Sequence, residues 1–334
     1  MKMRLLSLLG ILLFSVAEAK FPEDFDSPLT TIAFGSCNRQ DLPQPLWEVI
    51  AKNNPDLFIW LGDNVYADTE DVTRFQAVYD QQFDQPQYAA FRKETPIIGT
   101  WDDHDYGENN SGKWFPIKKD ADRMALDFMQ VPGDDPRRQR VGIYGDYTFG
   151  PLGKQVAVFL IDDRYFADRP GEDAELLGAA QWAWLEEALK ASDAELKLIA
   201  SGIQVLPLEQ PFEKWANFPR ERERLLDFIK EASISGVVFI TGDRHIHEVM
   251  VKSDEQTRYP LIEVTSSGLT HSWRDFPGEP NRHRIGDVYR ELGFGLISID
   301  WEAEPATLSL EIRNQDNTPV NFLSLPLEAL QPAK

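Results

Sequence analysis

The chain holds a single cysteine, Cys37, so no disulfide can close within it. Basic residues are also scarce. Only 34 Lys and Arg stand against 55 Asp and Glu, a formal net charge of −21. That balance argues against nucleic acid as a partner, because phosphate contacts need basic patches. An anionic membrane surface is disfavoured for the same reason. Past the first twenty residues no apolar run is long enough to cross a bilayer, and there is neither an internal repeat nor a low-complexity tract. What remains is 334 residues with 42% hydrophobic and 11% aromatic content, enough for a substantial core.

The first twenty residues read MKMRLLSLLGILLFSVAEAK. Lys2 and Arg4 precede the short apolar stretch Leu5 to Val16, and Ala17-Glu18-Ala19 is a small-x-small cleavage signal. This pattern predicts a signal peptide over residues 1–19, a mature domain over 20–334, and an exported protein, periplasmic or secreted, with no integral membrane segment after cleavage. A lone thiol in an oxidising compartment is either a buried apolar-type residue or a metal ligand.

Short apolar, β-branched runs predict strands at Thr31–Phe34, Leu57–Leu61, Ile97–Thr100, Val156–Ile161, Leu196–Ala200, Val237–Thr241 and Leu261–Thr265. Helical patterns lie between many of them, at Pro45–Ala51, Thr73–Phe83, Lys119–Met129, Ala179–Lys190 and Arg220–Glu231. Alternation of this kind implies an α/β architecture with largely parallel pairing. After Gly295 the pattern changes to closely spaced strands, Gly295–Trp301, Thr307–Arg313 and Val320–Leu325, expected to form a mixed sheet packed on the first. With no linker in sight, one domain is expected.

The turns that follow the strands are unusual. They read GSCNRQ, GDNVYADT, WDDHDYGENN, DDRYF, GDRHIHE and SSGLTHSW. In open α/β sheets ligands bind at the carboxyl ends of the strands. One rim would therefore collect Cys37, Asp63, Tyr66, Asp103, His104, Asp162, Arg164, Asp243, His245 and His271. Turn preference explains the Gly, Asp and Asn. It does not explain why histidine, tyrosine and cysteine join them. The stretch TWDDHDYGENNSG, residues 100–112, is the sharpest case, with Asp102, Asp103, Asp105 and Glu108 around His104. Carboxylates this close repel, and without a partner one must take a proton. A multivalent cation removes the conflict. Thiolate, phenolate and imidazole suit a transition metal, whereas carboxylates and amide oxygens suit a hard cation, so the set predicts a mixed site.

FGSC, GDNVY, WDDHDYGEN, IDDRYF and GDRHIH, in this order, resemble the alkaline phosphatase D (PhoD-like) family of metallophosphatases, from about Phe34 to His271. The resemblance implies a calcineurin-like fold, two mixed β-sheets sandwiched between helices in an αββα arrangement, and a two-metal phosphoesterase site. It makes Asp63 the bridging ligand, and Cys37, Asp63, Tyr66 and His245 a set for Fe³⁺. It aligns Asp103 with a metal-binding asparagine and His104 with the catalytic histidine of the wider superfamily. Two departures matter. Asp243 replaces a histidine of the usual GHxH, and SGIQV stands where a further histidine ligand is usual. The second metal thereby keeps oxygen ligands, which favours Ca²⁺. Asp105, Asn109 or water would complete its shell.

The expected chemistry is hydrolysis of phosphate esters by a metal-bound hydroxide, with Arg164 on a phosphate oxygen and His104 stabilising charge or protonating the leaving alkoxide. Asp162 would either touch metal or orient Arg164, Asp163 would be solvated, and His271 would reach substrate or make a structural hydrogen bond. Trp114, Trp215 and Trp273 would line the cleft or cover the core. The substrate would be a small phosphate ester or a lipid head group. The alternatives are a phospholipase D-like diesterase and, from another class, a non-catalytic exported Ca²⁺-binding protein on a hydrolase scaffold.

Overall fold

Leu57-Phe58-Ile59-Trp60-Leu61 is apolar at every position, the mark of a strand covered on both faces. In the computed structural model, which describes residues 21–332, this segment is a strand buried along its whole length. The leader expected over residues 1–19 lies outside the described residues. Alternation then sorts the strand. Leu57, Ile59 and Leu61 face the core between two sheets, while Phe58 and Trp60 face helices on the outside.

The strands are β1 (Thr31–Gly35), β2 (Leu57–Leu61), β3 (Ile97–Thr100), β4 (Gly145–Phe149), β5 (Val156–Leu160), β6 (Leu196–Ser201), β7 (Val237–Thr241), β8 (His247–Lys252), β9 (Leu261–Ser266), β10 (Arg284–Tyr289), β11 (Gly293–Asp300), β12 (Thr307–Asn314) and β13 (Pro319–Pro326). They form a six-stranded sheet, β13-β12-β11-β1-β2-β3, and a seven-stranded sheet, β10-β8-β9-β7-β6-β5-β4. In the first, β1, β2 and β3 are parallel, and β11, β12 and β13 are antiparallel. In the second, β5, β6, β7 and β9 are parallel, with β4, β8 and β10 antiparallel. Both sheets are therefore mixed.

The helices are α1 (Leu46–Ala51), α2 (Val72–Phe83), α3 (Pro86–Glu94), α4 (Asp103–Tyr106), α5 (Lys118–Phe128), α6 (Gly178–Ala191) and α7 (Pro219–Glu231). The first three and α5 cover the outside of the six-stranded sheet around Trp47, Trp60, Tyr79 and Tyr88. Helices α6 and α7 supply Trp182, Leu185, Leu225 and Ile229 to the core that contains the second sheet. None of the helices is long and apolar enough to cross a membrane among the described residues.

Two sequence expectations change here. The three C-terminal strands do not build a separate mixed sheet; β11 pairs with β1 and extends the first one. Asp163 is not solvated: it is fully buried and accepts from Ser201 Oγ at 2.8 Å and Ile203 N at 3.2 Å. Five elements were not expected: β8, which follows directly on the turn after β7, and four with weak sequence signals. Helix α3 opens on a proline and is polar along much of its length, α4 is a single turn, β4 alternates with exposed polar residues, and β10 has no buried residue.

Candidate metal centre

The two sheets are joined at their carboxyl ends. Just past β1 and β9, Ser36 and Ser267 form an isolated parallel bridge, and Leu269 N donates to Ser36 O at 3.1 Å. Asn38 N donates to Asp63 O at 2.8 Å, tying the turn after β1 to the turn after β2. The backbone at this seam is contorted. Cys37, Asp63, Asp243 and His245 have φ of 57°, 50°, 65° and 54°. Non-glycine residues rarely enter this left-handed region, at a cost of order 1 kcal/mol or more each. Strain gathered on four chemistry-bearing residues points to a site. Gly62 serves the same seam, since at φ 87° a Cβ there would sit 2.4 Å from Asp102 Cβ.

Two groups of side chains converge. One atom each from Cys37, Asp63 and His245 lie within 4.8 Å of one another, and so do atoms of Asp63, Asp103 and His104. Asp63 belongs to both. Cys37 Sγ lies 3.4 Å from Asp63 Oδ2 and 3.0 Å from Ser267 Oγ. Tyr66 Oη donates to the same Asp63 Oδ2 at 2.7 Å. Asp63 Oδ1 and His245 Nδ1 are buried without any partner.

The electrostatics are those of anions short of a cation. Burial, then repulsion from Cys37, Asp103 and Asp105, pushes the Asp63 carboxyl well up. Burial and the Asp63 charge push the Tyr66 phenol up, and burial raises the Cys37 thiol. Asp243 is pushed up to about 7, chiefly by burial and by Asp103. A bound cation reverses every one of these shifts. The orphaned Asp63 and His245 atoms, the shared Asp63 and the sulfur, phenol, carboxylate and imidazole donors together fit a two-metal site.

His104 is positioned by a residue the sequence did not signal. Asp68, itself at φ 45°, places Oδ1 2.6 Å from His104 Nδ1. Burial would depress the imidazole pKa, but the Asp68 contact and the neighbouring carboxylates hold it above its ordinary value. Tyr66 stacks on the His104 ring at 4.3 Å between centroids. His271 stands 5.1 Å from the Tyr66 ring and 4.6 Å from that of His245, and its Nδ1 is 3.1 Å from Thr270 Oγ1.

Three expected residues lie outside this cluster. Asp105 is spent on the backbone, accepting from Asp102 N at 2.6 Å and from Asp63 N and Asn64 N at 3.1 Å each. It builds the turn. Asp162 accepts from Trp101 Nε1 at 2.8 Å and from the amides of Ile143, Arg164 and Tyr165, so it too is structural, orienting Arg164 only through the backbone. Arg164 is buried and paired with Asp102 and, at 2.8 Å, with Glu213. Its guanidinium is engaged by these carboxylates and does not line the cleft. Burial would raise Asp103, yet the Arg164 charge and His104 keep that carboxyl below its ordinary range.

The cluster opens into a cleft of about 600 Å³ lined by Asp63, Asp103, His104, Asn109, Asp243 and His245 on the metal side. Trp114, Arg169, Phe212, Glu213, Arg244 and Trp273 form the opposite walls. Of the three tryptophans weighed from sequence, Trp114 and Trp273 line the cleft, whereas Trp215 is core, its Nε1 bonded to Ser201 Oγ. Arg169, Arg244 and Phe212 had no sequence signal beyond lying in loops.

Comparison with known proteins gives a consistent answer. The model of the PhoD-like phosphatases matches residues 32–281. Alkaline phosphatase D of Bacillus subtilis (strain 168) is 25% identical over 277 residues, 65% of this chain and 46% of that protein. The chain thus spans about half the length of that curated relative. The solved structure of PhoD superposes with a TM-score of 0.73 at 19% identity, covering 94% of this chain and 73% of that one. A dimetal phosphatase from Danio rerio gives 0.56 at 14% identity over 92% of this chain and all of that one. GAP50, the anchor in the inner membrane complex of Plasmodium, gives 0.59 at 11% identity, covering 92% and 90%. At such identities these structures show the shared calcineurin-like fold. The family match covers most of the chain and every turn that carries the cluster, and the protein belongs to the PhoD-like phosphatases.

Proposed function

We propose that the protein is an exported, metal-dependent phosphoric ester hydrolase that holds Fe³⁺ and Ca²⁺. The observation that carries this reading is Asp63, whose carboxylate belongs to two separate ligand groups on one cleft wall. Cys37, Tyr66 and His245 join it on the softer side, which suits ferric iron. Asp103, with Asp243 and Asn109 beside it, offers the oxygen-rich side, which suits calcium. When bound, such ions would lower the pKa of a coordinated water and neutralise phosphate oxygens.

The chain's own residues do the rest. Asp68 fixes His104 through Nδ1, which leaves Nε2 as the nitrogen that hands a proton to the leaving alkoxide. Arg164, held by Asp102 and Glu213, keeps Asp103 ionised and in place. Export rests on the leader sequence, Lys2 and Arg4 followed by an apolar stretch and Ala17-Glu18-Ala19. Lipid head-group esters fall within the same chemistry as soluble ones.

Hydrolysis of nitrophenyl phosphate and bis-nitrophenyl phosphate, before and after chelation, tests the reading together with elemental analysis of the purified protein. Chelator-sensitive turnover with iron and calcium present is expected. A protein that binds metal yet turns over neither ester would instead be a non-catalytic Ca²⁺-binding protein on this scaffold.

A further inference from the structure

The walls of the cleft differ in a way that hydrolysis alone does not require. On one side Lys113 N donates to Ala167 O at 2.9 Å, and Lys113 Nζ pairs with Asp168. These two links hold the loop carrying Trp114 against the loop carrying Arg169. The Arg169 guanidinium then lies 4.4 Å over the indole of Trp114. Because Lys113 takes Asp168, Arg169 is left with no carboxylate partner among the described residues. An unpaired arginine, pre-oriented on an aromatic platform at a cleft mouth, is unusual in a chain with a net charge of −21.

The other wall is aromatic. Trp273 N donates to His245 O at 2.6 Å, so this wall is anchored to the metal cluster. Phe212, 46% exposed, meets Trp273 edge-on at 5.5 Å. Arg244 sits 4.6 Å over the Phe212 ring but is neutralised by Glu279. This side therefore offers ring surface, and the Arg169 side offers a free cation.

Resting on the phosphoesterase reading, we propose that the cleft selects esters that carry, beyond the scissile phosphate, a planar ring for the Phe212–Trp273 wall and a second anionic group for Arg169. A nucleoside bearing two phosphates has this chemistry, and about 600 Å³ accommodates one. Arg169 is the specificity-determining residue, with Trp114 positioning it.

Two probes that differ only in the second anion test this: the p-nitrophenyl ester of thymidine 5′-phosphate, and the same ester carrying a 3′-phosphate. The metal-loaded wild type is expected to favour the 3′-phosphorylated ester in kcat/KM by about tenfold, the size of one charge-assisted contact. Arg169→Gln is expected to abolish that ratio, and Trp114→Leu to reduce it. Calorimetric binding of thymidine 3′,5′-bisphosphate should weaken about tenfold in Arg169→Gln, a readout independent of turnover. A wild type that hydrolyses both esters equally, or a ratio that survives Arg169→Gln, overturns this inference and leaves the phosphoesterase reading standing. Failure of the wild type to hydrolyse either ester or the simple nitrophenyl esters overturns both.

Discussion

Asp68 Oδ1 lies 2.6 Å from His104 Nδ1, a contact between residues 36 positions apart that fixes which imidazole nitrogen remains for chemistry. Replacing Asp68 by Asn removes the charge that holds the His104 pKa up. The kcat of Asp68→Asn should fall by about 10- to 100-fold with little change in KM. The limb of the pH–rate profile on which His104 loses its proton should move to lower pH. A limb that stays where it was would show that Asp68 does not tune the ring.

Arg164 should matter for stability more than for substrate affinity. Its guanidinium offsets Asp102, Asp163 and Glu213 in the interior. Arg164→Met leaves those carboxylates buried and unpaired, which typically costs about 3–5 kcal/mol. Urea denaturation measures it. A loss below about 1 kcal/mol would mean that water reaches the cluster in the variant.

Removing the metals should destabilise the fold as well as stop turnover. Cys37, Asp63 and Asp103 are buried and Asp243 is half-buried beside them, and a cation is what relieves their repulsion. Binding at a thousandfold excess over Kd contributes about 4 kcal/mol, so chelation should lower the melting temperature by several degrees. A ferric centre bound through Tyr66, as proposed above, would also colour the protein, and Tyr66→Phe would then remove that visible band. A colourless wild type with full iron content would displace Tyr66 from the ligand set.

Asp122, buried beneath the Gly142 amide at 2.8 Å, is pushed up to about 7 by burial. A carboxyl raised in the folded state contributes its full stability below the unfolded pKa and loses it as pH rises through the folded one. Unfolding free energy should therefore fall between pH 4 and pH 8, by at most about 4 kcal/mol through this group. Asp122→Asn keeps an acceptor for Gly142 N and has no charge to bury, so its curve should be flatter. Parallel curves for the two proteins would show Asp122 ionised at no cost.

The strand-forming runs from β2 to β9 that were expected were legible because both faces of each are covered. Leu57–Leu61 is apolar at every residue and Val237–Thr241 at all but the last, and both start and stop where expected. The turns that carry the candidate cluster stood out for a different reason: thiol, phenol and imidazole have no turn-forming role that would place them after strands. Direction was not legible. Asp103 and Asp105 are two residues apart in one turn, yet one faces the cleft and the other accepts three backbone amides. Arg164 reads as a phosphate ligand in sequence and is an internal counter-ion in space.

Composition and local pattern determined the α/β class, most of the strands and the chemistry available at their ends, because burial of both faces and turn geometry act over a few residues. Pairing of β11 with β1, the closing of the two sheets through Ser36 and Ser267, and the meeting of Asp68 with His104 or Arg169 with Trp114 were decided only by the tertiary structure. Those contacts join segments far apart in the chain, and their energy is realised only once the core between the sheets has brought the loops together.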